Sequence, residues 1–136
     1  MTLVDPGNLE VTLRNGFCLI LNFKDFPGSG RNLDGLEKDV SALQNTFSEF
    51  GAKIRTRTDI KTSTIVRDKI SALQLIDWTK YDYLVVVIMS HSEDGKFETS
   101  GGEQFKLSES QTGVNACPLI DGKPKFFFVN TCRSQQ

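Results

Sequence analysis

One histidine, His91, and three cysteines, Cys18, Cys117 and Cys132, stand in this chain of 136 residues. A thiol attacks carbon only as thiolate, and a free cysteine is ionised to a few per cent at neutral pH. An imidazole titrates close to neutrality, so a neighbouring histidine can take that proton and later hand it to a leaving amine. Peptide cleavage also calls for donors to the oxyanion, each commonly worth about two to three powers of ten in rate. A single imidazole excludes a histidine-rich metal centre. An odd number of cysteines with no Cys-x-x-Cys pair speaks against a disulfide framework or a four-cysteine zinc site, and for a reducing compartment. No metal and no cofactor is expected.

Which thiol could meet the imidazole depends on the elements that carry them. Phe17 to Phe23 is a continuous apolar run of strand length, set between Asn15-Gly16 and a Pro27-Gly28-Ser29-Gly30 loop. Unbroken hydrophobicity of this kind marks a strand covered on both faces. Asp34 with Glu37 predicts a capping box, followed by Leu36, Val40, Leu43 and Phe47 at helical spacing and by Gly51 at the stop. Ala52 to Thr58 reads as an edge strand whose Lys53, Arg55 and Arg57 form an exposed face. Thr62 or Ser63 caps a second helix carrying Ile65, Val66, Ile70, Leu73 and Ile76 and ending near Trp78. Tyr83 to Met89 is the strongest strand of the chain. Asp94-Gly95 then signals a hairpin turn, with Lys96 to Thr99 as its return arm, and this accounts for Glu93 and Asp94 without a cation site. Residues 100–121 offer one helical stretch, around Ser108 to Gly113. Lys125 to Asn130 makes the fourth strand.

This alternation predicts the α/β class: an open, mostly parallel sheet with helices on both faces. Such sheets build their sites beyond the carboxyl ends of the strands. His91 falls just past the third strand and Cys132 just past the fourth, which makes them the candidate base and nucleophile. The backbone amides of Ser92 and Cys132 are the candidate oxyanion donors. Taken singly, each residue has a plainer reading, the thiol as core filling and the histidine as a loop hydrogen-bonder; their coincidence at one sheet end favours chemistry. Cys18, in mid-strand, and Cys117, before a proline, read as structural.

Composition narrows the function classes. Sixteen basic and seventeen acidic side chains leave a formal charge of −1, which argues against a nucleic-acid binder that works through a broad basic face. No apolar run approaches the length of a membrane span, and the first ten residues lack the basic start of a secretory signal. No membrane association is expected, and the cytoplasm is the expected location. Hydrophobic residues at 38% and charged residues at 24% are ordinary for one globular domain.

Motifs around the two candidate residues go further. Asn130-Thr131-Cys132-Arg133-Ser134 compares with Gln-Ala-Cys-[Arg/Gln/Gly]-Gly, a signature that carries its histidine roughly 50 residues upstream. Ser90-His91 with Glu93-Asp94-Gly95 compares with Ser-His-Gly-x-x-Gly. Gly122-Lys123-Pro124-Lys125-Phe126 leads into the last strand as Gly-Lys-Pro-Lys does, and Asp39, Leu43 and Phe47 fit the first helix. From about Asn15 to Ser134 the chain resembles the large catalytic subunit of the caspases. Residues 1–14 are then a lead-in, a loose segment or a pairing arm, and 15–136 a caspase-like domain.

The resemblance implies an endopeptidase that cuts after aspartate, with Cys132 as nucleophile and His91 as proton shuttle. It implies a substrate carboxylate held by Asn130 and by an arginine before the first helix. Allowing a two-residue insertion that arginine is Arg31; an ungapped alignment puts Leu33 there instead. The implied partners are a small catalytic subunit not in this chain, a second large/small pair, and protein substrates or another caspase; the implied setting is apoptosis or related signalling. Three positions depart from the pattern: Ser92 and Ser134 replace glycines, and Asn130 replaces a glutamine. Together with the arginine position, open between Arg31 and Leu33, these departures make four altered or ambiguous positions around an intact dyad. They motivate an alternative, a catalytically impaired homologue that pairs with an active caspase as regulator or decoy. A relative of the paracaspases or metacaspases, preferring a basic residue, would need an acidic pocket pair that cannot be placed here.

Overall fold

The computed structural model describes residues 2–4, 10–12, 14–26 and 36–132. The lead-in forms two short strands, β1 (Thr2–Val4) and β2 (Glu10–Thr12), paired antiparallel with each other. The first apolar run becomes β3 (Gly16–Asn22), buried along its whole length. Helix α1 (Leu36–Glu49) follows, and it ends where Gly51 takes a φ of 80° that a side chain would resist. The capping box at Asp34 lies outside the described residues. Strand β4 (Ala52–Thr58) and helix α2 (Ser63–Ser71) come next. Of the two expected caps Thr62 is the one used, its side chain accepting from the Ile65 N–H at 3.1 Å.

The second helix is shorter than the sequence reading had it. Helix α2 stops at Ser71, and two 3-10 turns, Ala72–Leu75 and Trp78–Lys80, carry the chain to the third strand. Strand β5 (Tyr83–Glu93) runs past the expected end at Met89, through Ser90, His91 and Ser92. Its polar end persists because ladder partners on neighbouring strands satisfy its backbone, which apolar patterning cannot reveal. Asp94 and Gly95, at φ 53° and 75°, make the expected two-residue turn into β6 (Lys96–Glu98). Strand β7 (Gln104–Lys106) and helix α3 (Leu107–Asn115) follow, and β8 (Lys125–Cys132) closes the series two residues beyond its expected end.

Strands β4, β3, β5 and β8 lie side by side in that order and are all parallel. The β6–β7 hairpin continues the end of β5 in antiparallel pairing. Helices cover both faces, as expected. On one, Cys18, Ile20, Val85, Val87 and Met89 pack with Val40, Leu43 and Phe47 of α1. On the other, Leu19, Leu21, Val86 and Ile88 pack with Val66 and Ile70 of α2 and Val114 of α3. Strand β4 is an edge, as expected, but its Arg55 is not simply a solvated side chain: the guanidinium carbon lies 5.2 Å from the centroid of the Phe17 ring.

Candidate functional site

The carboxyl end of the sheet brings the two candidate residues into one rung. His91 and Cys132 are register partners on the parallel strands β5 and β8, whose axes lie about 4.8 Å apart. Side chains alternate between faces along a strand. Val85, Val87 and Met89 face α1, as do Phe126 and, through its ring contact with Phe47, Phe128. His91 is buried, 6% exposed, and its ring centroid lies 4.7 Å from that of Phe26, which is 3% exposed. Both residues end up inside the strands rather than just past them, because β5 and β8 extend further than their apolar runs.

The phase of the ladder also places the two candidate oxyanion amides. Leu84 donates its N–H to Pro124 O at 3.0 Å, while Met89 O accepts from the Phe23 N–H at 2.9 Å. Even-numbered residues of β5 thus turn their backbone groups toward β8 and odd-numbered ones toward β3. The hairpin agrees, since Glu93 and Lys96 flank its two-residue turn as the hydrogen-bonded pair and leave Ser92 facing the other way. At the last rung the register sets the Cys132 N–H against the Ser90 carbonyl and the Ser92 N–H against the Cys132 carbonyl. Both amides point into the ladder. Ser92 itself lies in extended strand, where its backbone makes no demand for glycine.

The remaining candidates divide plainly. Asn130 lies on β8, exposed, in register with Met89. Arg31 and its alternative Leu33 lie outside the described residues, as do Arg133 and Ser134. Cys18 is fully buried, and burial pushes its thiol up to about 12, far from thiolate at neutral pH. Cys117 is also buried, within the apolar cluster beneath α3. Among the described residues no group of three or more His, Cys, Asp or Glu side chains is placed to hold a metal ion, and no helix is long and apolar enough to cross a membrane.

The sequence reading passed over two residues at the carboxyl end of the sheet. Phe26 lies against the imidazole, and Asp59, at the end of β4, accepts hydrogen bonds from the chain just before Phe26. Only a positive φ forced on a non-glycine residue could have drawn attention to Asp59, and that is invisible in sequence.

A sequence model described as Caspase domain matches residues 15–136. The chain belongs to the caspase family. It is 33% identical over 125 residues to Drosophila melanogaster caspase-1, covering 89% of this chain and 38% of that protein. It is 29% identical over 130 residues to mouse caspase-8, covering 87% and 27%, and 28% identical over 124 residues to mouse caspase-3, covering 89% and 44%. It therefore spans less than half the length of these curated relatives. The fold agrees: pro-sf-caspase-1 superposes with a TM-score of 0.80 at 22% identity, covering 92% of this chain and 49% of that one. The Drosophila initiator caspase Dronc superposes at 0.76 and 21% identity, covering 84% and 47%. The caspase family is one of cysteine proteases, and the sheet described above is its α/β fold.

Proposed function

We propose that this chain is the large catalytic subunit of a cysteine endopeptidase that cuts after aspartate. The observation that carries the reading is the His91–Cys132 rung, in which the backbone of the chain's one histidine lies beside that of a cysteine at the carboxyl end of the sheet. In the reaction the Cys132 sulfur adds to the scissile carbonyl carbon as its proton passes to His91. The tetrahedral intermediate expels the amine, which takes that proton, and leaves a thioester. Water then gives a proton to His91 and adds to the thioester carbon; the acid product departs and the thiol is restored.

The amides of Ser92 and Cys132 serve the oxyanion in this scheme. Since both face the β5–β8 ladder, the last rung must part when substrate enters. Arg31 and Asn130 hold the substrate carboxylate, arginine because its planar fork pairs with a carboxylate through two bonds. A small subunit pairs along the outer edge of β8. In support, β8 pairs only with β5 among the described residues, and Phe128 and Val129 remain 49% and 38% exposed there. Two large/small pairs form the working enzyme, which acts on protein substrates in the cytoplasm, in apoptosis or related signalling.

The test is co-expression with a caspase small subunit, followed by labelling with an aspartyl electrophile and mass spectrometry. Wild type and Cys18→Ala should take up the label and Cys132→Ala should not. An assembled wild type that stays unlabelled would overturn the protease reading and turn attention to the regulator.

A further inference from the structure

The chain leaving β3 is held by one residue from β4's end. Asp59 sits at a φ of 54°, a left-handed conformation that Asp and Asn tolerate best among residues with side chains. Its N–H donates to Asn22 O at 2.8 Å. Its Oδ1 accepts from the Lys24 N–H at 2.8 Å, from the Asp25 N–H at 3.0 Å and from Ser100 Oγ at 3.1 Å. The segment fixed in this way ends at Phe26. Phe26 is buried against His91, with 4.7 Å between the ring centroids and 55° between their planes.

We propose that Asp59 and Phe26 are positioning residues for His91: the carboxylate fixes the Lys24–Asp25 backbone, and that backbone presses the phenyl ring onto the imidazole. Neither residue touches substrate in this assignment. Asp59 acts through Phe26, and Phe26 limits the orientations open to the ring that must meet the thiol. The left-handed backbone at Asp59 suits this role, because it goes with a carboxylate turned back toward the end of β3, where it accepts from two successive amides. The effect on rate rests on the proposed protease activity; the effect on the imidazole does not.

That separation allows a clean experiment. His91 is the only histidine, so a chain carrying 13C-labelled histidine gives a ring spectrum of this residue alone. Phe26→Leu, which keeps an apolar side chain but removes the ring current, should displace the His91 Cε1–H resonance. Asp59→Gly, which suits the left-handed backbone while removing the carboxylate, should displace it in the same direction, with Asp59→Ala as second variant should that one not fold. In the double variant Asp59→Gly should add nothing to Phe26→Leu. Asp59→Asn, which keeps an acceptor, and Ser100→Ala, which removes the third bond, should leave the resonance in place. An unmoved resonance in Phe26→Leu, or in both carboxylate-removing variants, overturns the proposal, as does additivity in the double variant. In the enzyme assembled with its small subunit, Asp59→Gly should lower kcat roughly tenfold to a hundredfold with little change in KM, the signature of a misplaced reacting group. A displaced resonance with unchanged kcat would also overturn the positioning role. Absence of turnover in the wild type would instead defeat the protease reading and leave the spectroscopic result standing.

Discussion

The same four parallel strands end in two very different rims. At the amino rim several prominent polar groups find partners. The Asp82 carboxylate accepts from the Arg14 and Asn15 N–H groups at 2.9 and 3.0 Å, Lys123 Nζ donates to Tyr81 O at 2.9 Å, and Trp78 Nε1 donates to Leu73 O at 2.7 Å. Phe17 packs edge-on against Trp78 and Tyr81. The carboxyl rim holds a residue in left-handed backbone, Asp59, and a buried acceptor without a partner among the described residues, Asn22 Oδ1, as well as the His91–Cys132 rung. One rim is built for stability and the other tolerates strain and unpaired polarity where chemistry is proposed, which is the division expected of open parallel sheets.

Changes at the amino rim should therefore cost stability and leave the imidazole untouched. Phe17→Ala has the largest expected effect, a loss of about 3–5 kcal/mol in denaturant unfolding, because it empties a buried aromatic site. If it also displaced the His91 resonance under folding conditions, the separation of the two rims would fail. Gly16→Ala comes next. Its added Cβ would fall on the Tyr83 ring, and overpacking of this kind costs about 1–3 kcal/mol, measurable as a lower unfolding midpoint at constant m-value.

A carboxyl-rim change should go the other way. Asn22→Leu removes a buried acceptor that has no partner among the described residues, so stability should rise by about 1 kcal/mol, since an unpaired buried group carries its desolvation cost uncompensated. A marked loss would mean that the amide does make a stabilising bond. The smallest effect concerns pH. Hydrogen bonds from the Asn15 and Arg14 N–H groups hold the Asp82 carboxyl below its usual range. Its contribution is present above the unfolded carboxylate value of about 4 and fades as pH falls through the lower folded value. Urea unfolding between pH 6 and pH 3 should show a shallower acid loss for Asp82→Asn than for wild type.

Much of this architecture was legible in the residues and some was not, for identifiable reasons. The runs at Phe17 and Tyr83 announced doubly covered strands because a buried strand has no polar face to interrupt it. Asp94-Gly95 announced its turn because both positions need positive φ. The polar stretch Ser90 to Glu93 concealed the last part of β5, since backbone pairing rather than side-chain character keeps it extended. Helix α3 was only partly visible. Gly113 breaks its helical character, yet it is suited to the packing, since a Cβ there would come 2.9 Å from Ile70 Cγ2 of α2. The pairing of His91 with Cys132 could be anticipated from strand ends alone, whereas the bonds from Asp59 to the end of β3 join distant stretches of chain and leave no local pattern.

The strand order has a consequence for how the domain assembles. Strand β3 comes early in the chain yet lies between β4 and β5, and β5 in turn gains β8 only from much later sequence. Every parallel rung must close a long loop before its contacts repay the lost entropy. Folding should accordingly be slow and governed by the docking of β5, and intermediates that lack it would leave β3's backbone edge open to other chains. A synthesis strategy that holds the nascent chain in a chaperone until β5 is complete should raise the yield of native protein more than any single stabilising substitution.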